Sequence, residues 1–410
     1  MHTAIQVALW RNRDYMVLWS GQLISVLGSR ISAISLPLLI LALTRSPAQA
    51  GTVAALLGLP YLLFGLLAGV LIDRWDRKRT MLVCEAINGI ATATIPLGIW
   101  TGHLSMPQLY VVALVTGTAF VFFNVAEIAA LPSVVTQDQL SAAVGQNQAT
   151  FSVGGVIGPP LAGFLFQLAR ALPFLADALS YAVSFLSLLA VRVPFAAERA
   201  ASPRSLRVEL WEGMTWLWRH PSIRGLTLLT ASSNLLTGGF TLFIILLAQR
   251  HHASPAAIGA IFAVAAAAAI VGSALAPRLL LRLSVGQIAV SFVWFSAALY
   301  PLYLLAPNAP AIALINGVAF LAGPTYNVAT ITYRLRSVPD ELQGKVNSSA
   351  RVLALGANPI GAGASGIVLQ TAGITVMVWV LAIGTALLAL AATLTPSIRA
   401  APLVAAAPRD

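Results

Sequence analysis

Three ionisable residues lie deep inside long apolar runs, and these are the residues of the chain that could carry chemistry. They are Arg30, Glu127 and Asp177. A charged side chain near the centre of a bilayer costs about 2.5–3.5 kcal/mol on insertion scales, so at that depth it needs a partner, a cavity or a function. A carboxyl group there can take up and release a proton. Glu127 and Asp177 are therefore candidate proton carriers, although a structural role fits Asp177 better.

Arg30 lies about halfway along the first apolar run. Its guanidinium could attract an anionic group of a bound molecule, or it could pair with an acid, for which Glu127 is the leading candidate. Each residue also has a structural interpretation: Arg30 as half of an ion pair between helices, and Glu127 as an acid near a helix end. Glu85, about one turn inside its own run, is expected to pair with Arg77 or Arg79 at the surface.

Several uncharged polar and aromatic residues also fall inside apolar runs. Apolar pockets with a few amide and aromatic contacts suit bulky amphiphilic molecules. Each residue taken singly could instead make a hydrogen bond between helices. The candidate cavity residues of this kind are Gln22, Asn124, Asn234, Trp294, Tyr326 and Asn327.

The motifs of common enzymes are missing from the sequence. It contains no Gly-x4-Gly-Lys-Ser/Thr phosphate loop and no Gly-x-Ser-x-Gly nucleophile elbow. The adjacent His251 and His252 lack acids or cysteines at metal-ligand spacing. We therefore expect no catalytic residue, no metal and no cofactor.

The composition places the chain in a membrane. It is 58% hydrophobic and 9% charged over 410 residues, whereas soluble domains carry about 25% charged residues. The net charge of +11 could suggest nucleic acid, but most of the 24 lysine and arginine residues fall in alternate connections between apolar runs. That distribution indicates membrane topology and contact with anionic lipid, with no nucleic-acid partner.

A span needs about 20 apolar residues, and that length predicts twelve transmembrane helices in an all-α membrane protein. Barrel strands are excluded because the runs are too long and too uniformly apolar. The basic connections place both termini in the cytoplasm. The predicted spans are 16–43, 50–72, 80–101, 107–130, 142–168, 172–191, 223–248, 256–277, 285–305, 309–333, 347–370 and 374–395.

The longest polar break divides the chain into two halves. We predict a six-helix bundle over 1–192, a cytoplasmic linker over 193–222, a second six-helix bundle over 223–396 and a flexible cytoplasmic tail over 397–410. Apolar residues at helical spacing in the linker indicate an amphipathic helix on the membrane surface; a partly ordered linker is the alternative.

The halves also look like repeats of one another. Asp138-x-Leu140 before the fifth span returns as Asp340-x-Leu342 before the eleventh, roughly 200 residues later. Two pseudo-symmetric bundles in the same orientation are the parallel repeat of the major facilitator architecture.

A burst of charge follows the second span. It contains Gly69, Asp73, Arg74 and Arg77 in the pattern Gly-x-x-x-Asp-Arg-x-x-Arg. This stretch resembles the signature between spans two and three of the major facilitator superfamily. The resemblance implies that Asp73, Arg74 and Arg77 help to lock the cytoplasmic side while the carrier faces outward. The counterpart at 272–278 has no acid.

A second set of small residues occupies the fifth span. Such residues allow close helix packing, and here the groove could pack against the other half to seal the exit path. The spacing is similar to the antiporter motif of the same superfamily, with one glycine replaced by Ala162. Glycine and proline are also frequent in membrane helices generally. The matching positions are Gly145, Gly154, Gly158, Pro159 and Gly163.

Stretches 21–28, 175–181, 212–221 and 334–348 resemble the third drug–proton antiporter branch, which includes macrolide-efflux and enterobactin-exporter proteins. Relatives often carry an acid just after the glycine that corresponds to Gly28, where this chain has Ser29 and Arg30.

The resemblance implies a proton-driven exporter of small amphiphilic molecules in a bacterial cytoplasmic membrane, acting as a monomer with the lipid bilayer and its substrate as partners. A siderophore or anionic-metabolite exporter and an importer are the alternatives. A non-transporting receptor is a more distant one.

Overall fold

The computed structural model describes residues 9–195 and 206–403. A short 3-10 turn (Leu9–Arg11) precedes a chain of helices. These are α1 (Arg13–Thr44), α2 (Pro47–Arg74), α3 (Arg77–Thr101), α4 (Met106–Val134), α5 (Gln137–Leu168), α6 (Leu172–Ala190), α7 (Leu206–Arg219), α8 (Pro221–Thr237), α9 (Phe240–Arg250), α10 (Pro255–Leu280), α11 (Val285–Leu299), α12 (Leu302–Leu305), α13 (Ala309–Ser337), α14 (Gln343–Thr371), α15 (Gly373–Leu394) and α16 (Pro396–Arg399).

Twelve segments of the described chain are long and apolar enough to cross a membrane, which confirms the predicted number of spans. Helices α8 and α9 together form one such segment, Pro221–Arg250, and α11 and α12 form another, Val285–Leu305. Helices are the spanning form because every backbone amide must find its hydrogen-bond partner within the bilayer.

Local sequence signals set several helix ends. Asp76 caps α3 by accepting a hydrogen bond from the backbone N–H of Arg79, and Gly102 closes the other end in a left-handed conformation with φ 72°. Ser284 and Gln287 form a reciprocal capping box at the start of α11. These ends fall in the polar and glycine-containing breaks between the predicted spans.

The seventh span is interrupted, although the sequence predicts one continuous helix over 223–248. Helix α8 ends at Thr237 and α9 begins at Phe240. A Cβ on Gly238 would meet the backbone carbonyl of Asn358, and one on Gly239 would meet the side chain of Ser365. The break therefore lies where the chain approaches α14 too closely for any larger residue.

Contacts divide the chain into two compact units. The first contains α1 up to Leu36 and the chain from Leu63 through α6; the second contains residues 37–62 and α7 to α16. The predicted first bundle covers residues 1–192, whereas in the structure residues 37–62 of that range belong to the second unit. The predicted domain boundaries stay a prediction, and 196–205 and 404–410 lie outside the described residues.

Glycines explain why the first part of α2 belongs with the second unit. A Cβ on Gly51 would lie 2.7 Å from the Cα of Gly366, and one on Gly58 would lie 2.6 Å from Pro359. The two helices approach closely because neither carries a side chain at the contact, as in other small-residue interfaces within membranes.

The linker helix α7 packs on the second unit. Glu212 accepts a hydrogen bond of 2.5 Å from Lys345 of α14, and Gly213 lies against the Lys345 carbonyl. Trp211 is 75% exposed and Leu217 is fully buried. Residues 206–219 thus form the predicted helix, with one side against protein and an aromatic side chain free to meet the membrane surface.

We predict that Gly366→Ala destabilises the protein by about 1–3 kcal/mol, the usual cost of overpacking. Its Cβ would lie 2.8 Å from the Gly51 Cα and the Pro47 carbonyl, which are backbone atoms that cannot move aside. The melting temperature of the purified protein in detergent measures this. Gly363→Ala is the matched control on the same helix, since its Cβ would meet only Ala55 at 3.6 Å. Equal melting temperatures for the two variants would contradict the close contact.

Candidate functional site

A cavity of about 220 Å³ lies inside the first unit and is lined by charged, amide and hydroxyl groups. Four predicted residues line it: Gln22, Arg30, Asn124 and Glu127. The polar lining also includes residues that had not been predicted as cavity residues: Glu85, Asn88, Tyr181, Ser25 and Ser29. The cavity therefore contains one basic side chain and two carboxyl groups.

Arg30 and Glu127 line this cavity without pairing. Neither belongs to an ion pair in the part of the chain that the structure describes, so of the two alternatives for Arg30 the pairing with Glu127 is not seen there. The Arg30 guanidinium makes no hydrogen bond to a described residue either. It remains available to a bound group, and both residues keep their predicted place at the cavity.

The antiporter-motif glycines face the stem of Arg30. A Cβ on Gly158 would lie 2.5 Å from the Arg30 Cβ, and one on Gly154 would lie 3.5 Å from its Cγ. Both glycines are buried, as are Pro159 and Gly163, whereas a Cβ on Gly145 would meet nothing within 4 Å. Sequence reasoning placed this groove against the other half of the protein. At Gly154 and Gly158 the groove instead receives α1 of the same unit.

Glu85 is the residue that sequence reasoning missed. It was expected to pair with a surface arginine, but its side chain is 2% exposed. Ser184 donates a 2.6 Å hydrogen bond to Oε1, and Gln22 donates a longer one of 3.4 Å to the same oxygen. The other oxygen, Oε2, is buried and has no hydrogen-bond partner.

A sequence signal for Glu85 did exist. Glu85, Asn88 and Thr92 recur at intervals of three and four residues, so they share one face of α3, and all three are buried. Polar residues repeating on one face of an apolar helix indicate a buried polar surface. Proximity to the basic cluster at the start of α3 obscured that pattern.

Asp177 does not line the cavity. It is 2% exposed, and its two oxygens accept hydrogen bonds from Ser32 and Ser180 respectively. This arrangement joins α1 to α6 and leaves neither oxygen without a donor. The geometry fits the structural role better than proton coupling, for which Asp177 stays a prediction.

A second cavity of about 150 Å³ lies in the second unit and contains three more predicted residues, Asn234, Tyr326 and Asn327. Tyr326 stacks on Phe292 with ring centroids 4.7 Å apart and shares a 2.6 Å hydrogen bond with Thr230. The lining includes amides, hydroxyls and aromatic rings but no Asp, Glu, Lys, Arg or His. This cavity can bind hydrogen-bonding and aromatic groups but cannot carry a charge at neutral pH.

Trp294 is the one predicted cavity residue that lies elsewhere. Its side chain is 44% exposed, it is absent from the lining of both cavities, and its indole N–H donates to Thr393 at 3.1 Å. The prediction that Trp294 lines a cavity is not supported by this position. An indole on the outer surface of the helices suits a lipid-facing or interfacial site.

The charged loop after α2 is held mainly by Arg77 and Lys78. Arg77 donates to the Ala129 carbonyl at 2.9 Å, and Lys78 donates to the Val191 carbonyl at 2.6 Å. These contacts fasten the start of α3 to α4 and to the end of α6. Bonds from cations to carbonyls near the carboxyl ends of helices are favourable because those ends carry partial negative charge.

The other predicted lock residues are more open. Asp73 and Arg74 are exposed, and Asp73 makes no hydrogen bond or ion pair with the described residues. A Cβ on Gly69 would meet nothing within 4 Å, so this glycine is not packed against a second helix. Of the four residues, Arg77 is the one that forms a hydrogen bond between helices within the described residues.

Twelve segments of the described chain that are long and apolar enough to cross a membrane define the class as a multi-pass membrane protein, and its family makes it a transporter rather than an enzyme. The model of the Major Facilitator Superfamily matches residues 18–350, and the chain belongs to this family.

Relatives with known names include efflux proteins. The chain is 24% identical over 404 residues to the multidrug efflux pump Tap of Mycobacterium tuberculosis, covering 95% of this chain and 94% of that protein. It is 28% identical over 223 residues to macrolide efflux protein A of Streptococcus pyogenes, which covers 53% of this chain. The chain spans about half, 54%, of the length of that second relative.

Solved structures agree on the fold. A bacterial homologue of the lysosomal transporter Spinster matches 98% of this chain and 97% of its own with a TM-score of 0.72 at 16% identity. The nucleoside transporter NupG matches 93% of this chain and 98% of its own, also with a TM-score of 0.72 at 16% identity. These matches support the predicted major facilitator fold.

We predict that Gly158→Ala reduces transport at least about tenfold, because the new methyl group displaces the Arg30 stem and shifts its guanidinium in the cavity. Gly145→Ala belongs to the same motif and has open space around it, so it should transport within about twofold of wild type. Drug accumulation in cells that express each variant at equal level measures the effect. If both variants behave alike, the motif does not act by positioning Arg30.

Proposed function

We propose that the protein exports small amphiphilic molecules from the cytoplasm in exchange for protons. The observation that carries the proposal is the cavity of the first unit, where Arg30, Glu85 and Glu127 lie at membrane depth. The names of the relatives, an efflux pump along nearly the whole chain and a macrolide efflux protein along half of it, support the direction of transport.

Charge accounting in that cavity links substrate and proton. With both carboxyl groups ionised, one cation and two anions give a net charge of about −1. A substrate with one positive charge neutralises the cavity, and so does one proton on a carboxyl group. A cavity surrounded by lipid and apolar helices favours the neutral states. Substrate and proton therefore exclude one another, which is the requirement for antiport.

Glu127 is the acid to which sequence reasoning assigned the proton. It lines the cavity and has no ion-pair partner among the described residues, so its charge is not compensated by a neighbouring cation. Release of its proton to the cytoplasm would restore the negative cavity that binds the next substrate. Alternating access of the cavity to the two sides of the membrane completes the cycle.

The charged loop after α2 supplies the cytoplasmic lock in this proposal. Asp73 is exposed and without a partner in the described part of the chain, as expected for a lock that is released. The lock engages when the cavity faces outward, and Arg77 holds the loop to α4 meanwhile.

We further propose that the transporter resides in the bacterial cytoplasmic membrane with both termini in the cytoplasm. The basic loop at 74–79 then faces the cytoplasm, in keeping with the positive-inside rule. The proton gradient is the energy source, without a cofactor, metal or nucleic acid. The working form is a monomer in contact with lipid.

We predict that inverted membrane vesicles with an acidic interior accumulate ethidium or erythromycin, and that a protonophore abolishes the accumulation. Glu127→Gln should reduce accumulation to the level of vesicles without the protein, because the cavity can no longer become negative. Glu341→Gln, an exposed acid between α13 and α14, is the control and should transport like wild type. Accumulation that is indifferent to the protonophore would reject proton coupling, and a fully active Glu127→Gln would reject that residue alone.

An exporter of anionic metabolites is the second candidate, favoured by the unpaired guanidinium of Arg30 within the described residues. The cation-exchange proposal predicts that Arg30→Ala lowers the apparent KM for ethidium about threefold to tenfold, since a positive charge leaves the cavity. Arg30→Lys keeps the charge and should change KM little. If instead the wild type transports an anionic probe such as a catecholate siderophore and Arg30→Ala abolishes it, the second candidate is correct.

A further inference from the structure

A buried carboxyl group in the first cavity has one oxygen that nothing in the described protein satisfies. Glu85 is 2% exposed, and both neighbouring donors serve its Oε1: Ser184 at 2.6 Å and Gln22 at 3.4 Å. Oε2 is buried without a partner. A buried acceptor without a donor costs about 1–3 kcal/mol, and more when it is charged.

The hydrogen-bond pattern around Glu85 is directional. Gln22 also donates to the Ser184 oxygen at 2.9 Å, so the hydroxyl proton of Ser184 is directed toward Glu85. The chain Gln22–Ser184–Glu85 fixes the carboxyl plane and leaves Oε2 as the free position. A second wall residue, Asn88, also has a buried acceptor, Oδ1, without a donor. Two buried acceptor atoms, Oε2 of Glu85 and Oδ1 of Asn88, therefore lack a hydrogen-bond donor among the described residues.

Two other acids lie on the helices around Glu85. Glu127 on α4 lines the same cavity, and Asp177 is buried on α6, the helix that also supplies Ser184. Tyr181 on α6 and Arg30 on α1 face the same cavity, and Arg30 forms no ion pair with a described acid. A proton on Oε2 would remove one of the two negative charges of the cavity and turn an unsatisfied acceptor into a hydrogen-bond donor.

We propose that Glu85, through Oε2, is a second binding position in the cavity, beside Glu127, for the proton that is exchanged for substrate, and that the two carboxylates together make the cavity attractive to a cation. This rests on the proposed proton-driven export. In the cycle, a proton from the outer aqueous phase adds to Oε2 of the carboxylate after a cationic substrate has left. It is released to the cytoplasm when the next cation enters, with no other bond made or broken. Loss of either carboxyl group removes the negative state of the cavity.

Reconstituted full-length protein tests this assignment with ethidium, a permanent monocation that cannot carry the proton itself. In Glu85→Gln liposomes with an acidic lumen, ethidium accumulation should fall at least about tenfold. Exchange of ethidium inside for ethidium outside should fall as well, because a cavity that holds only the charges of Arg30 and Glu127 stays neutral and no longer attracts a cation. Glu341→Gln again serves as the control and should leave both activities unchanged.

The outcomes separate the two proposals. If wild-type protein itself shows no accumulation driven by the pH gradient, the proposed function fails, and the assignment of Glu85 fails with it. If wild type is driven and Glu85→Gln is driven equally, the assignment alone is overturned. Exchange at the wild-type rate in Glu85→Gln would also overturn it, because glutamine mimics the protonated carboxyl group, which the proposal requires to exclude the cation.

Proton release gives a second measurement that does not depend on flux. Ethidium added to detergent-solubilised wild type in weak buffer should release a proton, detected with a pH-sensitive dye, and Glu85→Gln should release none. Glu85→Asp retains a carboxyl group and should restore release if the glutamine variant proves unstable. Release that is unchanged in Glu85→Gln, or absent in a folded Glu85→Asp, would assign the proton elsewhere.

Discussion

The cost of placing an ionised group among apolar helices is the constraint on which the rest of this structure depends. Each ionised side chain at that depth raises the free energy of the folded protein by a few kcal/mol, which is a large fraction of the free energy of unfolding of a domain. Asp177 meets the cost because both of its carboxylate oxygens accept hydrogen bonds, from Ser32 and Ser180. Arg30, Glu85 and Glu127 meet it by sharing a cavity. Charges whose cost is only partly offset are the ones that substrate or proton binding can still stabilise.

Small residues make that arrangement possible. Within a membrane, helices gain little from burying apolar surface, so close van der Waals contact decides their packing. Gly154 and Gly158 let α1 approach α5 until the aliphatic stem of Arg30 fills the groove and its guanidinium reaches the cavity. Glycines at Gly51 and Gly366 allow a contact of the same kind between α2 and α14. Close packing at glycines thus positions the Arg30 side chain in the first unit and allows two helices to make direct contact in the second.

The sequence was sufficient to predict the transmembrane spans, because a run of about 20 apolar residues bounded by charges has few alternatives to a membrane-spanning helix. In the structure, Arg30, Glu127 and the four predicted amides line cavities. The sequence was insufficient where the answer depended on the direction in which a side chain points. Glu85 stands about one turn from a basic cluster, and only the helical phase of α3, which buries Asn88 and Thr92 with it, turns it inward. Trp294 lines neither cavity, and its half-exposed ring donates its N–H to Thr393 instead.

Two further features could not be predicted without the tertiary structure: the break in the seventh span at Gly238 and the helix that packs against Gly154 and Gly158. Two adjacent glycines in a span are compatible with a bend, with a close helix contact or with neither. The structure identifies a close contact, because the carbonyl of Asn358 occupies the space that a Cβ on Gly238 would need. Likewise, the spacing of Gly154 and Gly158 defines a groove but not the helix that fills it. Periodicity gives the face of a helix, whereas the neighbour of that face is a property of the whole fold.

The two cavities differ in a way that follows from their linings. The first holds three ionisable side chains, whereas the second offers only amides, hydroxyls and aromatic rings such as the stacked Phe292 and Tyr326. Two repeats of one architecture have therefore kept the same helices but not the same chemistry. Of these two linings, only the first contains carboxyl groups that can bind a proton, whereas the second offers shape and hydrogen bonds without a charge. Under the proposed exchange of substrate for protons, the side chains of the second cavity can therefore change without altering the charge balance of the first.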